Sequence, residues 1–418
     1  MKSRTDSKNR SYMTRLILPL IIFQLIGFIL VNSRVEAFNS KVIYTTVAFV
    51  LTSILSSIFI PKYTRGEFAF IMIVNMLYTI GIIAITRLNY NTGFYHLIWY
   101  ILGIAVFVFT FVFMDFLVNF FRNKFVLFFF LTLMTFLATL LLGSREDGAI
   151  NWIKITESIT VQLSEFAKIS YIFMIAAFYF KYDSLIKHKF GKYYLMIGTY
   201  IFIGFFFLQG ELGTAMIFFA LFISSTFVFE RRYLFVLVNI FLAFVGLYIA
   251  YLLFSHIRVR FEIWRDPWVD YNGRGYQIIQ SLFAISSGGM FGSGIGLGSP
   301  KLIPVATSDF ILSAIMEEMG IFMGISIVLL YIIFVYKSMK ISIVDRDIFY
   351  SSLSFSIGII IAGQALIMFG GVLGLIPLTG ITTPFLSYGG SSTISNFILL
   401  AILQYSSSTK KKVYYEKF

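Results

Sequence analysis

Apolar runs of about one membrane thickness alternate with short polar breaks along almost the whole chain. A helix rises 1.5 Å per residue, so a hydrocarbon core takes roughly 20 such residues. The pattern predicts spans at 15–33, 42–60, 68–86, 96–116, 125–143, 163–181, 193–209, 213–230, 233–254, 309–336, 348–376 and 391–406. This is the outline of an all-α polytopic membrane protein with about twelve transmembrane helices. One multi-pass domain, 15–406, is expected between polar tails 1–14 and 407–418. The first run is a full span with no small-residue cleavage site behind it, so it reads as a helix rather than a cleaved leader.

Two polar interruptions stand out. The first is a large loop, 255–308, of 54 residues, far longer than an ordinary connection. It crowds Arg265, Asp266, Asp270 and Arg274 among Trp264, Trp268, Tyr271 and Tyr276. Behind them, Tyr276 to Ser287 has helical spacing, with Ile278, Leu282 and Ile285 on one face and Gln277, Ser281 and Ala284 on another. That piece is too short to span and suits the membrane interface. Six glycines follow between Gly288 and Gly298, without the GxGxxG spacing of a dinucleotide site. The second interruption, Pro377 to Ser392, carries two prolines and a set of hydroxyls (Thr379, Thr382, Thr383, Ser387, Tyr388). Irregular backbone at membrane depth survives only buried in protein or lining a wet cavity.

Composition agrees: 58% of residues are hydrophobic, 13% charged, and Phe alone accounts for 50 of 418. Lys and Arg favour the segments on the side of the N-terminal tail, which places both termini in the cytoplasm and 255–308 outside. The formal charge of +13 therefore reads as topology and attraction to anionic lipid, not as a nucleic-acid surface. Zero cysteines exclude disulfides and thiol chemistry, and the three histidines lie too far apart for a His-built metal site. A divalent ion (Mg or Mn) held by oxygen ligands stays open, and no cofactor is demanded.

Ionisable residues within spans are costly and point to function. Glu165 and Lys168 are one helical turn apart and can pair. Gln209–Gly210–Glu211 falls at a break between spans. Arg258, Arg260 and Arg265 follow the ninth span and suit phosphate oxygens. Asp309 opens the tenth span, where the helix dipole favours it. Glu317 and Glu318 lie deeper and need a cation, such as Lys168 or an arginine, or a wet cavity. Cations, one loop carboxylate and a greasy body fit an amphiphile with a lipid chain, phosphates and a polar headgroup. A pyrophosphate is already a good leaving group, so one carboxylate base and positive charge would suffice for transfer from it.

In order along the chain stand QLSEFAK (162–168), QGELGTA (209–215), RVRF with WRDP (258–267), DYNGRGYQ (270–277), SGGMFGSGIG (287–296), SDFI with EEMG (308–320), and PLTG with PFLSYGGSS (377–392). This series resembles the RodA/FtsW/SpoVE family of shape, elongation, division and sporulation. The resemblance implies a ten-helix core, here with two more helices at the N-terminal side. It implies a peptidoglycan glycosyltransferase of the bacterial plasma membrane that polymerises lipid II on the outer face. Asp270 would be the catalytic base. Glu165, Lys168, Arg258, Arg260, Gln277, Ser281, Asp309, Glu318 and Ser387 would meet the substrate. The implied partners are lipid II, the nascent glycan strand, membrane lipids and a class B penicillin-binding transpeptidase. A lipid-linked-sugar flippase is the alternative. The chain departs from the family pattern at Asn151 (usually Arg or Lys), Leu163 (Pro), Glu211 (Asp), and at Val305 and Thr307, where a Glu and a His are usual.

Overall fold

The computed structural model describes residues 2–33, 39–146, 149–156 and 160–409. Most of the expected C-terminal tail lies outside the described residues. The helices are α1 (Lys2–Ser33), α2 (Ser40–Thr64), α3 (Phe68–Leu88), α4 (Tyr90–Phe121), α5 (Phe125–Leu142), α6 (Leu163–Phe180), α7 (Tyr182–Leu185) and α8 (Tyr194–Gln209). They continue as α9 (Leu212–Ser225), α10 (Tyr233–Leu253), α11 (Ser255–Arg265), α12 (Tyr276–Gly288), α13 (Ile311–Val344), α14 (Ile348–Val372) and α15 (Gly390–Ser406). Among the described residues, eleven helices are long and apolar enough to cross a membrane. The twelfth expected span is α15, a 17-residue helix in the expected place.

The connections hold more structure than their polarity suggested. Residues 144–161 form a small antiparallel sheet, β1 (Ser144–Glu146), β2 (Ala149–Lys154) and β3 (Thr160–Val161), in the order β1-β2-β3. The large loop is mostly helical, being built from α11, α12 and short 3-10 turns. On α12 the buried stripe is Ile278, Ser281, Ala284 and Gly288, while Leu282 is exposed. The expected Ile278–Leu282–Ile285 face is thus displaced by one with small residues, because the helix packs by close approach. A β carbon on Gly288 would stand 2.1 Å from the Met316 carbonyl oxygen.

The chain forms two compact units: 1–111 with 280–334 and 383–418, and 112–279 with 335–382. In the second unit α5 packs along α6, and α14 lies against α6 and α9. Its core is aromatic. Tyr171 stacks on Phe218 with centroids 4.3 Å apart, and Phe136 meets Phe206 edge-on at 4.6 Å. The Tyr171 hydroxyl is satisfied by Thr199 at 2.8 Å. The first unit is stitched by polar side chains instead. Gln24 of α1 donates to Ser53 of α2 (2.9 Å) and Thr79 of α3 (3.0 Å). Asn75 donates to Ser56 and Ser57 of α2 and accepts from Tyr100 of α4 at 2.8 Å. Apolar contact drives little helix association in lipid, so such bonds help to fix helix register.

One helix is broken. Within α13, Gly320 adopts φ 78°, ψ 174°, a backbone region essentially reserved for glycine. The i→i−4 bonds lost there are replaced by the glycine tract. Ile321 and Phe322 donate to the Gly289 and Met290 carbonyls (3.0 and 3.3 Å), and Ser293 and Gly294 donate to the Glu317 and Glu318 carbonyls, both at 2.9 Å. The approach needs bare α carbons on both sides: a β carbon on Gly320 would lie 2.5 Å from the Gly292 nitrogen. This is how irregular backbone stays satisfied at membrane depth.

Candidate active site

Asp270 sits at the end of a 3-10 turn, Pro267–Asp270, that starts as α11 stops. Asp266 caps this turn, its carboxylate accepting the Trp268 N–H at 3.0 Å. Pro267 takes the first position, where the lost N–H costs nothing. The chain then doubles back. The Asp270 carbonyl accepts from the Gly273 and Gly275 N–H groups, and its carboxylate Oδ2 accepts from the Arg274 N–H at 3.1 Å. The side chain lies flat on Gly273, where a β carbon would fall 2.4 Å from Oδ1. The result is a carboxylate held by backbone yet exposed to water.

Two bonds anchor α11 to the segment after α14. Arg260 Nη1 donates to the Leu378 carbonyl at 3.1 Å, and the Trp264 indole N–H donates to the Gly374 carbonyl at 2.8 Å. Arg258 turns back to the end of α10, donating to the Leu252 carbonyl at 2.8 Å with its guanidinium 5.9 Å from the Tyr251 ring centroid. Both expected phosphate clamps therefore spend donors on main-chain carbonyls. Arg265 and Arg274 are the exposed cations closest to Asp270 in the chain. The sequence singled out both, Arg265 as one of three arginines suited to phosphate and Arg274 in the crowded loop, although neither stood among the expected substrate contacts.

The predicted Glu165–Lys168 pair exists. Lys168 Nζ lies 2.6 Å from Glu165 Oε2, with side chains 1% and 7% exposed. Beside it, Glu211 precedes α9 and closes over the start of α6: its Oε1 accepts from Gln162 Nε2 at 2.7 Å and from the Ser164 hydroxyl at 3.2 Å. Burial pushes the Glu211 carboxyl above its ordinary range, partly offset by donors from Gln162, Ser164 and Asn151. Two of the departures from the family pattern thus meet. The neutral amide of Asn151 faces the carboxylate of Glu211, where the pattern would pair a cation with an aspartate.

The remaining candidates lie in the first unit, apart from Gln277, which belongs to the second. Glu318 pairs with Arg87 of α3, Oε1 to Nε at 3.3 Å. Glu317 accepts the Ser299 N–H at 2.7 Å. Of the cations expected here, an arginine is the one found, Arg87 at Glu318, while Lys168 is taken by Glu165; which arginine it is, more than 200 residues away in sequence, left no local signal. Ser281 is fully buried and shares a 2.6 Å bond with Ser313. Ser387 is buried and bonds the Thr383 backbone. As placed, these two hydroxyls hold the fold. Asp309 lies just ahead of α13 and is partly exposed, as is Gln277 on α12. Among the described residues no three His, Cys, Asp or Glu side chains stand at metal-ligand spacing.

This architecture, helices of membrane length with the exposed, backbone-held carboxylate of Asp270 between them, defines a polytopic membrane protein with a candidate site on an interhelical segment. Residues 67–412 match the model of the FtsW/RodA/SpoVE cell cycle proteins, and the chain belongs to that family. It is 37% identical over 272 residues to the peptidoglycan glycosyltransferase RodA of Mycobacterium tuberculosis H37Rv, covering 62% of this chain and 58% of that protein. Against RodA of Mycobacterium leprae, identity is 34% over 353 residues, covering 79% and 75%. Stage V sporulation protein E of Bacillus subtilis is 33% identical over 268 residues, covering 62% and 72%. The fold is similar to a chain from a peptidoglycan synthase complex that coordinates polymerization and crosslinking (TM-score 0.67, 19% identity, covering 82% and 98%). It is also similar to RodA of Thermus thermophilus (TM-score 0.56, 19% identity, covering 82% and 97%).

Proposed function

We propose that this protein is a peptidoglycan glycosyltransferase that polymerises lipid II on the outer face of the bacterial plasma membrane, with both termini in the cytoplasm. The observation that carries the reading is Asp270. It is water-accessible, fixed by the Arg274 N–H, and flanked in the chain by Arg265 and Arg274. Asp270 takes the proton from the 4-hydroxyl of the acceptor GlcNAc. That oxygen attacks the anomeric carbon of the donor MurNAc from the face opposite the pyrophosphate, and the configuration inverts. The C–O bond to undecaprenyl pyrophosphate breaks, and the leaving group departs with its electron pair.

A pyrophosphate needs neutralisation rather than protonation. Lys168 is already matched by Glu165, so the exposed guanidinium groups of Arg265 and Arg274 serve the leaving group best, with Arg258 and Arg260 shaping the segment behind them. The RodA relatives, named as peptidoglycan glycosyltransferases, support the reaction class. The likeness to a chain from a synthase complex supports a class B penicillin-binding transpeptidase as partner.

The test is polymerisation of purified lipid II by the full-length protein with its cognate transpeptidase, wild type against Asp270→Asn. Glycan from wild type alone supports the assignment. Equal glycan from both removes Asp270 from the mechanism. Lipid II crossing vesicles without polymerisation would turn the reading to a flippase.

A further inference from the structure

The family match begins at residue 67, leaving α1 and α2 outside it. The polar seam through Gln24, Ser53 and Asn75 nevertheless fixes both helices to the first unit. In its last turns α2 builds, with α4, a groove of about 510 Å³. Phe59, Ile60 and Tyr63 form one wall, and Phe107, Val108 and Phe111 the other. The walls are braced: Phe111 meets Tyr63 edge-on at 6.1 Å and Tyr405 at 5.6 Å. The size falls within the range of small-ligand sites.

The lining is apolar, and its one charged member is Lys62. Thr64, the other polar residue, is occupied. It donates to the Ile60 carbonyl at 2.8 Å and accepts from Gln404 at 3.0 Å. Helix α2 ends at Thr64, so Lys62, exposed on the groove's lining, marks the membrane boundary there, and the exposed Arg65 follows as the residue that caps the helix. Among the described residues Lys62 makes no ion pair. An apolar trough with a cation on its lining at the end of the helix matches one molecule of the membrane itself.

We infer that this groove is a binding site for an anionic phospholipid. One acyl chain lies between α2 and α4, and the phosphate sits against Lys62. A transmembrane helix from another protein fits poorly. A cylinder 10 Å across with a 5.4 Å pitch fills roughly 420 Å³ per turn, so the groove admits little more than one turn. Helix docking in lipid also favours small residues on both sides, whereas these walls are Phe and Tyr.

The test uses full-length protein reconstituted in vesicles of equal phosphatidylcholine and phosphatidylglycerol, re-extracted in mild detergent and weighed by native mass spectrometry. Wild type should retain phosphatidylglycerol in preference to phosphatidylcholine. One basic residue near an anionic surface contributes about 1 kcal/mol, so Lys62→Gln should cut that preference about fivefold. Val108→Trp, which fills the groove, should remove the retained lipid whatever its headgroup. Leu234→Trp, on the exposed face of α10, should leave retention unchanged. If Val108→Trp fails to accumulate, Lys62→Gln carries the test alone, since it alters only an exposed side chain. Retention and preference unchanged in the groove variants would overturn the proposal. So would a co-purifying protein lost from Val108→Trp while phospholipid counts stay the same.

Discussion

Two carboxylate regions of the second unit sit in opposite surroundings. Asp270 is exposed, and its close restraints are backbone: the Arg274 N–H and the bare α carbon of Gly273. Glu165 and Glu211 are buried and held by side chains, namely Lys168, Gln162 and Ser164. A group that must exchange a proton with a sugar hydroxyl needs water access and a fixed direction, which a tight turn supplies. A group that sets helix position needs the opposite, a dry environment in which each charge is matched. On the proposed function, the contrast fits chemistry at the first region and architecture at the second, although both lie in motifs of equal prominence.

The widest test of this contrast is to neutralise each region. Asp270→Asn should lower polymerisation by about 10²–10⁴-fold, the range for a general base, with an unchanged apparent melting temperature. Lys168→Met should do the reverse. It strands Glu165 as a buried charge and should destabilise by about 3–5 kcal/mol, read as a lower melting temperature in detergent. Adding Glu165→Gln to Lys168→Met should recover most of that loss; no recovery would mean that Lys168 acts through something other than its pair.

A finer test moves the base without removing it. Gly273→Ala puts a methyl where the Asp270 carboxylate now rests, and displacement of about 1 Å should cost about 10²-fold in rate. Stability should hold, because the turn is exposed. A rate close to wild type would show that the base does not need this placement.

The smallest effect concerns pH. The folded-state value of Glu211 is raised by burial, so between its ordinary value and the raised one the folded protein holds a proton that the unfolded chain has lost. Its contribution is therefore fully present at acid pH and declines as pH rises through the folded value. Glu211→Gln should match wild type in acid and exceed it at neutral pH, in melting curves taken across a pH series. Asn151→Lys should also flatten the profile, by supplying the cation that position lacks. A wild-type profile already flat would remove Glu211 as the source.

Much of this was legible in the chain. The spans follow from hydropathy alone, and the Glu165–Lys168 pair from helical spacing. What escaped the sequence shares one physical cause: partners fixed by packing rather than by spacing. Arg87 reaches Glu318 across more than 200 residues. The buried face of α12 was misjudged because close approach favoured Ser281 and Ala284 over the larger Leu282. The small sheet at 144–161 was missed although Ala149–Lys154 alternates weakly, since a strand in so helical a chain carries little hydropathy signal. Asn151 and Glu211 looked like unrelated departures until the fold set them face to face.

The splice at Gly320 has a kinetic consequence. Four main-chain bonds between 289–294 and 317–322 replace those a continuous helix would make with itself. The amides of Ser293, Gly294, Ile321 and Phe322 are then bound into one opening event, although nearly thirty residues separate the ends of the set. Hydrogen exchange should find them leaving and returning together, so that α13 loosens at its centre only when the glycine tract lets go.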